Sequence, residues 1–438
     1  MNQKQKTIVS IVAAVVIVGA VLWIKGFRHF SEPVSIKNGL SVRTSLIRVK
    51  NNSVLYVKCR FRDAGVLQNS ADKRGISAVL GLLMFRKING LSPEETKEKL
   101  LELGLKHFSL HTFEDDFEIS FQCLEDKAPE AMRFLSAAFR RPEFTKNDLE
   151  FAKGAFPNLL EVDVSSPQEL VLEKLMALLY PSHSYGLSNT GTDQAISSIT
   201  FDDVDGFMKT HFSRDNLEVL FVGNVSRFDV RRYLDALLTE LPAANSPQPA
   251  AEINQELSEE EASVINKQNM EDVVGIMTGV RIDHLTDAER AALHMLIDTL
   301  YDEKIGDFPS GLRSRNIANS VGHFFLRRSL SNVFCFFVFV EKKDLEKYLE
   351  YLEEKSNQYR GMTDFGKLEM AKDYFMAQFH TGFADLSDVE EHRRINALPF
   401  SRVNGRTLAR VLLKLFDPSK TRRVIIGNAV KPSTRTLP

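Results

Sequence analysis

Two stretches of this chain, separated by about 200 residues, end in the same way, and this repeat constrains the fold more than any other feature. Asn216–Val225 reads NLEVLFVGNV and Thr421–Val430 reads TRRVIIGNAV. Each is an apolar, β-branched run that leads into Gly-Asn, the pattern of a buried strand closing a unit. Between the two copies lie residues 241–261 (LPAANSPQPAAEINQELSEEE), rich in Pro, Ala, Ser and Glu and nearly free of large apolar side chains. Such a segment cannot contribute to a core and reads as a linker. The expected organisation is therefore a first half over residues 34–240 and a second over residues 262–438. The chain's 438 residues leave room for two domains.

Within each half, strands and helices come in clusters. Val54–Phe61 alternates and is β-rich, and Lys106–Thr112 with Asp116–Cys123 reads as a hairpin. Gly75–Phe85, Ala128–Arg140, Thr145–Leu160 and Gln168–Tyr180 read as helices, with Pro157 expected to kink or end the third. Ser92 with Glu95 and Thr286 with Glu289 are capping boxes, and Thr200 caps a further helix. Val273–Ile282 and Asn332–Val340 read as strands, Leu345–Gln358 and Lys367–Phe379 as helices. This clustering favours an α+β fold with antiparallel or mixed sheets over a doubly wound parallel one.

The first residues are different. Thr7–Ile24 (TIVSIVAAVVIVGAVLWI) carries no charge. At 1.5 Å per residue it just spans a hydrocarbon core of about 30 Å. It follows a short tail, residues 1–6, with Lys4 and Lys6, and no small-x-small cleavage site follows it. The expectation is an uncleaved transmembrane anchor with the body on the trans side, the periplasm if the source is bacterial. A cleaved signal peptide and a secreted body is the alternative.

Composition excludes some function classes. Lys and Arg total 56 against 58 Asp and Glu, so no excess of basic charge suits nucleic acid. Three widely spaced cysteines, Cys59, Cys123 and Cys335, supply neither a disulfide framework nor a Cys-based zinc site.

His183–Val225 contains HSYG, then GT, a helix pattern, and the closing NLEVLFVGNV. Gly361, Thr363, Ala371 and Lys372 form a second, weaker block. With these blocks the body resembles the insulinase / mitochondrial-processing-peptidase (pitrilysin-type) family of zinc peptidases, in its short two-domain bacterial form, over about residues 34–435. The resemblance implies two duplicated α/β-roll halves, each a mostly antiparallel sheet with helices on one face, closing like a clamshell around an unfolded peptide. It also implies an inverted motif, His-x-x-Glu-His, on the first helix, where two His one turn apart hold Zn²⁺ and the Glu activates water. In this chain those three positions fall on Ala78, Gly81 and Leu82, none of which can ligate a metal or move a proton. The place of the third ligand falls in Pro157–Leu160, with Glu161 out of register. No catalytic residue, no metal ligand and no cofactor is therefore expected, zinc included.

No other cluster replaces the motif. His107 and His111 share a strand face by alternation but lack a third ligand, Asp388–His392 reads as a solvated acidic turn, and His183 reads as a packing residue. The resemblance further implies an edge strand that takes up peptide, here Phe108, Ser109, Leu110 and His111. In the second half it implies an Arg and a Tyr, here Arg313 or Arg315 with Asn319 or Ser320 in the Tyr place. Backbone addition of a strand needs little side-chain identity. The expected function is a membrane-anchored, non-catalytic peptidase homologue. Its expected partners are an extended peptide and an active zinc-peptidase paralogue in a heteromer. An active zinc endopeptidase with displaced ligands and a purely structural scaffold are the alternatives.

Overall fold

The computed structural model describes residues 27–31, 34–35, 41–49, 52–84, 86–140, 143–188, 191–242, 253, 256–267, 270–303, 306–366 and 398–428. The expected anchor at Thr7–Ile24, most of the 241–261 linker, the helix expected at Lys367–Phe379 and the acidic turn at Asp388–His392 lie outside these. Among the described residues no helix is long and apolar enough to cross a membrane.

Among the described residues seven strands form the first sheet: β1 (Phe27–Ser31), β2 (Val34–Ser35), β3 (Ser41–Val49), β4 (Val54–Phe61), β5 (Lys106–Thr112), β6 (Phe117–Leu124) and β7 (Leu217–Gly223). The helices that follow in sequence are α1 (Ile76–Leu83), α2 (Pro93–Glu102), α3 (Ala128–Arg140), α4 (Lys146–Ser165), α5 (Pro167–Leu179), α6 (Asp193–Ser198), α7 (Phe201–His211) and α8 (Arg227–Leu237). The second sheet has β8 (Ala262–Asn266), β9 (Val273–Ile282), β10 (Gly322–Leu326), β11 (Asn332–Glu341) and β12 (Thr421–Gly427), with α9 (Asp287–Tyr301), α10 (Asp307–Ser314), α11 (Leu345–Arg360) and α12 (Gly405–Leu415).

The repeat in sequence is a repeat in topology. The first sheet contains the order β3-β7-β4-β6-β5 and the second is ordered β8-β12-β9-β11-β10. The closing strand of each, β7 or β12, runs parallel to its first neighbour (β3, β8) and antiparallel to its second (β4, β9). Both sheets are thus mixed, with antiparallel pairs predominating.

In the first sheet Val57, Cys59, Phe61, Phe117, Ile119 and Phe121 share one face and are fully buried. Phe61 packs against Phe139 of α3 and against Phe212 after α7, with ring centroids 5.1 and 4.3 Å apart. Each such side chain contributes roughly 1.5–3 kcal/mol through burial. On the opposite face the register aligns Arg43, Glu218, Arg60 and Glu118 across β3, β7, β4 and β6. Arg43 reaches Glu218 at 2.9 Å and Arg60 reaches Glu118 at 2.5 Å, an alternating row of cross-strand ion pairs.

The second sheet differs from the expectation of helices on one face. Val274, Ile276, Val280 and Ile282 point into a core shared with Leu296, Tyr301, Phe308, Tyr348 and Leu412 of the helices. The other face of β9 receives α5. A Cβ on Gly279 would stand 2.8 Å from Leu175 Cδ2, so the glycine lets that helix sit against the strand. Residues 157–188 come from the first half of the sequence but pack as part of the second compact unit. The division falls at Pro157, inside α4. The helix does not end there. Proline removes only its own N–H from the helical ladder, and neighbouring turns keep theirs.

Candidate functional site

The helix that would carry the inverted motif is built as the sequence suggests. Gly75 caps α1 in the left-handed region at φ 97°, a conformation that favours glycine. Buried Asn69 donates from Nδ2 to Ser77 Oγ at 3.2 Å, fixing the first turn. The loop before α1 is tied to the β5–β6 turn by three backbone hydrogen bonds: Gly65 N–H to Asp115, Val66 N–H to Phe113 and Leu67 N–H to Glu114, at 2.8–3.0 Å. Only glycine allows this approach, since a Cβ at Gly65 would lie 2.5 Å from two of those carbonyl oxygens. Thr112 Oγ1 completes the contact by donating to Ser77 O at 3.4 Å. Helix α1 and strand β5 are therefore held side by side.

Ala78, Gly81 and Leu82 lie on the half-buried face of α1, while Ile76, Ser77, Val79, Leu80 and Leu83 are buried. Spaced i, i+3 and i+4, the three share one side of the helix. A Cβ at Gly81 would meet only Phe117 Cε2, at 3.9 Å. The face is there, but a methyl group, a hydrogen and an isobutyl group offer no lone pair and no proton, so these residues do not fit zinc. Among the described residues no group of three or more His, Cys, Asp or Glu could hold a metal ion. Of the side chains in Pro157–Glu161, nothing is described.

Among the described residues strand β5, with Phe108, Ser109, Leu110 and His111, is an edge of the first sheet, paired with β6 on one side. His111 Nε2 lies 2.6 Å from Ser109 Oγ. The shared face expected for His107 and His111 is absent. The register slips by one residue between Lys106 and Ser109, and His107 takes φ 49°. A bulge of this kind inverts the alternation, so the two imidazoles leave the backbone on different sides.

Charges near this edge are shifted by burial. Asp116, at the β5–β6 turn, is pushed up to about 7, first by burial and then by the neighbouring Asp115, Glu118 and Glu218, while Arg60 opposes the shift. Arg74, just before α1, is drawn down to about 10 by burial, with Glu114 opposing. The Arg60–Glu118–Glu218 row was not legible in the sequence, because its members come from three strands far apart in the chain.

In the second unit Arg313 ends α10 and contacts Ser310 Oγ at 3.4 Å. Arg315 is committed to Glu354 of α11, at 2.7 Å. Asn319 and Ser320 are exposed just before β10.

Residues 57–193 match the family described as Insulinase (Peptidase family M16), and residues 198–363 match the family described as Peptidase M16 inactive domain. The probable mitochondrial-processing peptidase subunit beta of Arabidopsis thaliana is 20% identical over 207 residues, 47% of this chain and 38% of that protein. The mitochondrial-processing peptidase subunit beta of Neurospora crassa is 19% identical over 213 residues, 49% of this chain and 44% of that protein. The matches thus span about two fifths of the length of these curated relatives, 38–44%. Among solved structures, a protease from Helicobacter pylori superposes with a TM-score of 0.75 at 16% identity, over 92% of this chain and 99% of its own. A peptidase M16 inactive domain from Pseudomonas fluorescens superposes with a TM-score of 0.76 at 17% identity, over 93% and 99%. At such identities the superpositions speak for the fold, and the two family matches, which together run from residue 57 to residue 363 with a short gap, speak for descent: this chain belongs to the insulinase family of peptidases.

Proposed function

We propose that this chain is a non-catalytic insulinase-family homologue that binds an extended peptide and works beside an active, metal-bearing paralogue. The observation that carries the reading is the pairing of α1 with β5. The helix face where the family's chemistry belongs carries Ala78, Gly81 and Leu82, while the adjoining strand keeps an edge that can accept a peptide backbone. The catalytic groups are gone and the means of holding a chain remain. In this reading the two halves enclose the peptide as a clamshell, and Thr7–Ile24 tethers the body on the trans side of a membrane, the periplasm in a bacterium. The uncharged length of that segment and its flanking lysines support the tether.

The test is purification of the full chain from its own cells. The reading expects well under about one zinc per chain by metal analysis, no hydrolysis of quenched peptides by the chain alone, and copurification of a homologue with intact His-x-x-Glu-His. Chelator-sensitive cleavage by the isolated chain overturns it.

A further inference from the structure

Beside the β10–β11 turn of the second unit lies a cavity of about 470 Å³, within the range of about 300–1,000 Å³ common for small-ligand sites. Five basic residues line it: His284 just after β9, Arg290 and His294 on α9, and Arg327 and Arg328 in the turn. No carboxylate is found among its described lining residues, and Leu285, Leu293, Phe325 and Leu330 supply an apolar wall.

The cationic side is held in place. Arg328 is 8% exposed and lies over the Tyr185 ring at 4.6 Å and the Tyr180 ring at 5.6 Å. Stacking of this kind fixes the plane of a guanidinium. Arg290 donates from Nε and Nη2 to the Leu285 carbonyl at 3.3 and 3.2 Å. Two cations at or beside the cavity have a carboxylate near them: Arg281 reaches Asp283 at 2.9 Å, and Arg290 lies 3.6 Å from Asp287, a surface pair. His284 adopts φ 51°, a left-handed conformation that costs energy in a residue other than glycine.

We propose that this cavity receives the free C-terminal carboxylate of a peptide whose last residue is apolar. A guanidinium binds a carboxylate through two parallel N–H···O bonds, and the bond gains strength where water is partly excluded. The leucine and phenylalanine side chains suit the terminal side chain. The peptide backbone has a place as well, because among the described residues β10 is an edge strand of the second sheet, and its Phe325 lines the cavity. An extended chain can pair with that edge while its end enters the cavity. A fatty acid carries the same charge on an apolar body but has no amide groups for an edge strand to bind. The site lies wholly within the second unit and does not rest on the reading of α1 and β5.

The test uses the full chain, a fluorescein-labelled hexapeptide ending Ala-Phe-Leu as free acid or as amide, and dodecanoate as a competitor. Arg290→Glu/Arg327→Glu is the variant, since both side chains are exposed and tolerate change without unfolding. The expected result is at least about tenfold tighter binding of the acid than of the amide, and at least about tenfold loss of acid binding in the variant with an unchanged melting temperature. Equal binding of acid and amide, an affinity unmoved by the variant, no binding of the acid at millimolar concentration, or displacement of the peptide by equimolar dodecanoate would each overturn it.

Discussion

Arg315 grips the carboxylate of Glu354 through both of its terminal nitrogens, each contact 2.7 Å long, and so links the end of α10 to α11. Its guanidinium also lies 4.9 Å from the centre of the Tyr351 ring. The partnership raises the pKa of Arg315 and lowers that of Glu354, in each case chiefly through their hydrogen bond. A fork already occupied by one carboxylate is poorly placed to take another. Arg313, whose hydrogen bond among the described residues is the 3.4 Å contact to Ser310, is the better candidate for a peptide clamp. Arg313→Ala is expected to weaken peptide or partner binding severalfold, and Arg315→Ala to leave it within about twofold. The Arg315 variant should also melt close to the wild type, because both partners are about half exposed, at 45% and 53%. Binding titrations of the two variants check this. A greater loss in Arg315→Ala would return the clamp to that residue.

The empty face of α1 gives a second prediction. Gly81 sits inside a helix, and a Cβ there finds ordinary contact with Phe117 at 3.9 Å. Gly81→Ala should therefore stabilise the protein by about 0.5–1 kcal/mol, read from denaturant midpoints. Ala78→His with Leu82→His places two imidazoles one turn apart on the same face, and that variant should bind Co²⁺ weakly where the wild type does not, seen by visible absorption. Failure to bind would mean that these positions are not the register of the family's motif.

Gly279 provides a third. Its Cα faces α5, with Leu175 Cδ2 at 2.8 Å and Leu179 Cδ1 at 3.2 Å from where a Cβ would lie. Gly279→Ala requires the leucines or the helix to move, and is expected to cost about 1–3 kcal/mol, the usual range for overpacking. Chemical denaturation measures it. A neutral effect would mean that α5 yields freely at this point.

These three sites differ in how far the sequence foretold them. The strands β4 and β9 and the capping boxes at Ser92 and Thr286 were legible to the residue, since local periodicity and N-cap chemistry act within a few positions. The repeated Gly-Asn endings marked equivalent strands because the same buried, central position in a sheet demands the same apolar run. The destination of α5 was not legible. Its apolar residues state that it packs, and nothing in its own pattern says that β9 and β12 are its partners. The Arg315–Glu354 pair is hidden for the same reason, its members being 39 residues apart. The bulge at His107 is hidden because nothing in the alternation along β5 marks where it breaks. The helix that carries Ala78, Gly81 and Leu82 was legible from its apolar pattern, and their side chains, which offer no ligand or proton, can be read from the residue identities alone.

The last prediction concerns pH. Asp298 lies in the final turn of α9, where the negative end of the helix dipole already disfavours a carboxylate. Burial, together with the charge of Asp302 one turn on, pushes it up to about 6 from an ordinary 3.8. The folded state then holds a proton that the unfolded state has released between those two values. Stability must fall as pH rises through that window and stay reduced above it, since the unfolded chain binds fewer protons there. Asp298→Asn removes the charge and keeps the shape. The variant should match the wild type near pH 4 and exceed it by about 1–3 kcal/mol near pH 7.5, with the difference developing between about pH 4 and pH 6. Urea unfolding of both proteins across that range measures the difference directly. A constant offset at every pH would show that the substitution acts through packing or helix propensity and that Asp298 titrates as an ordinary carboxylate.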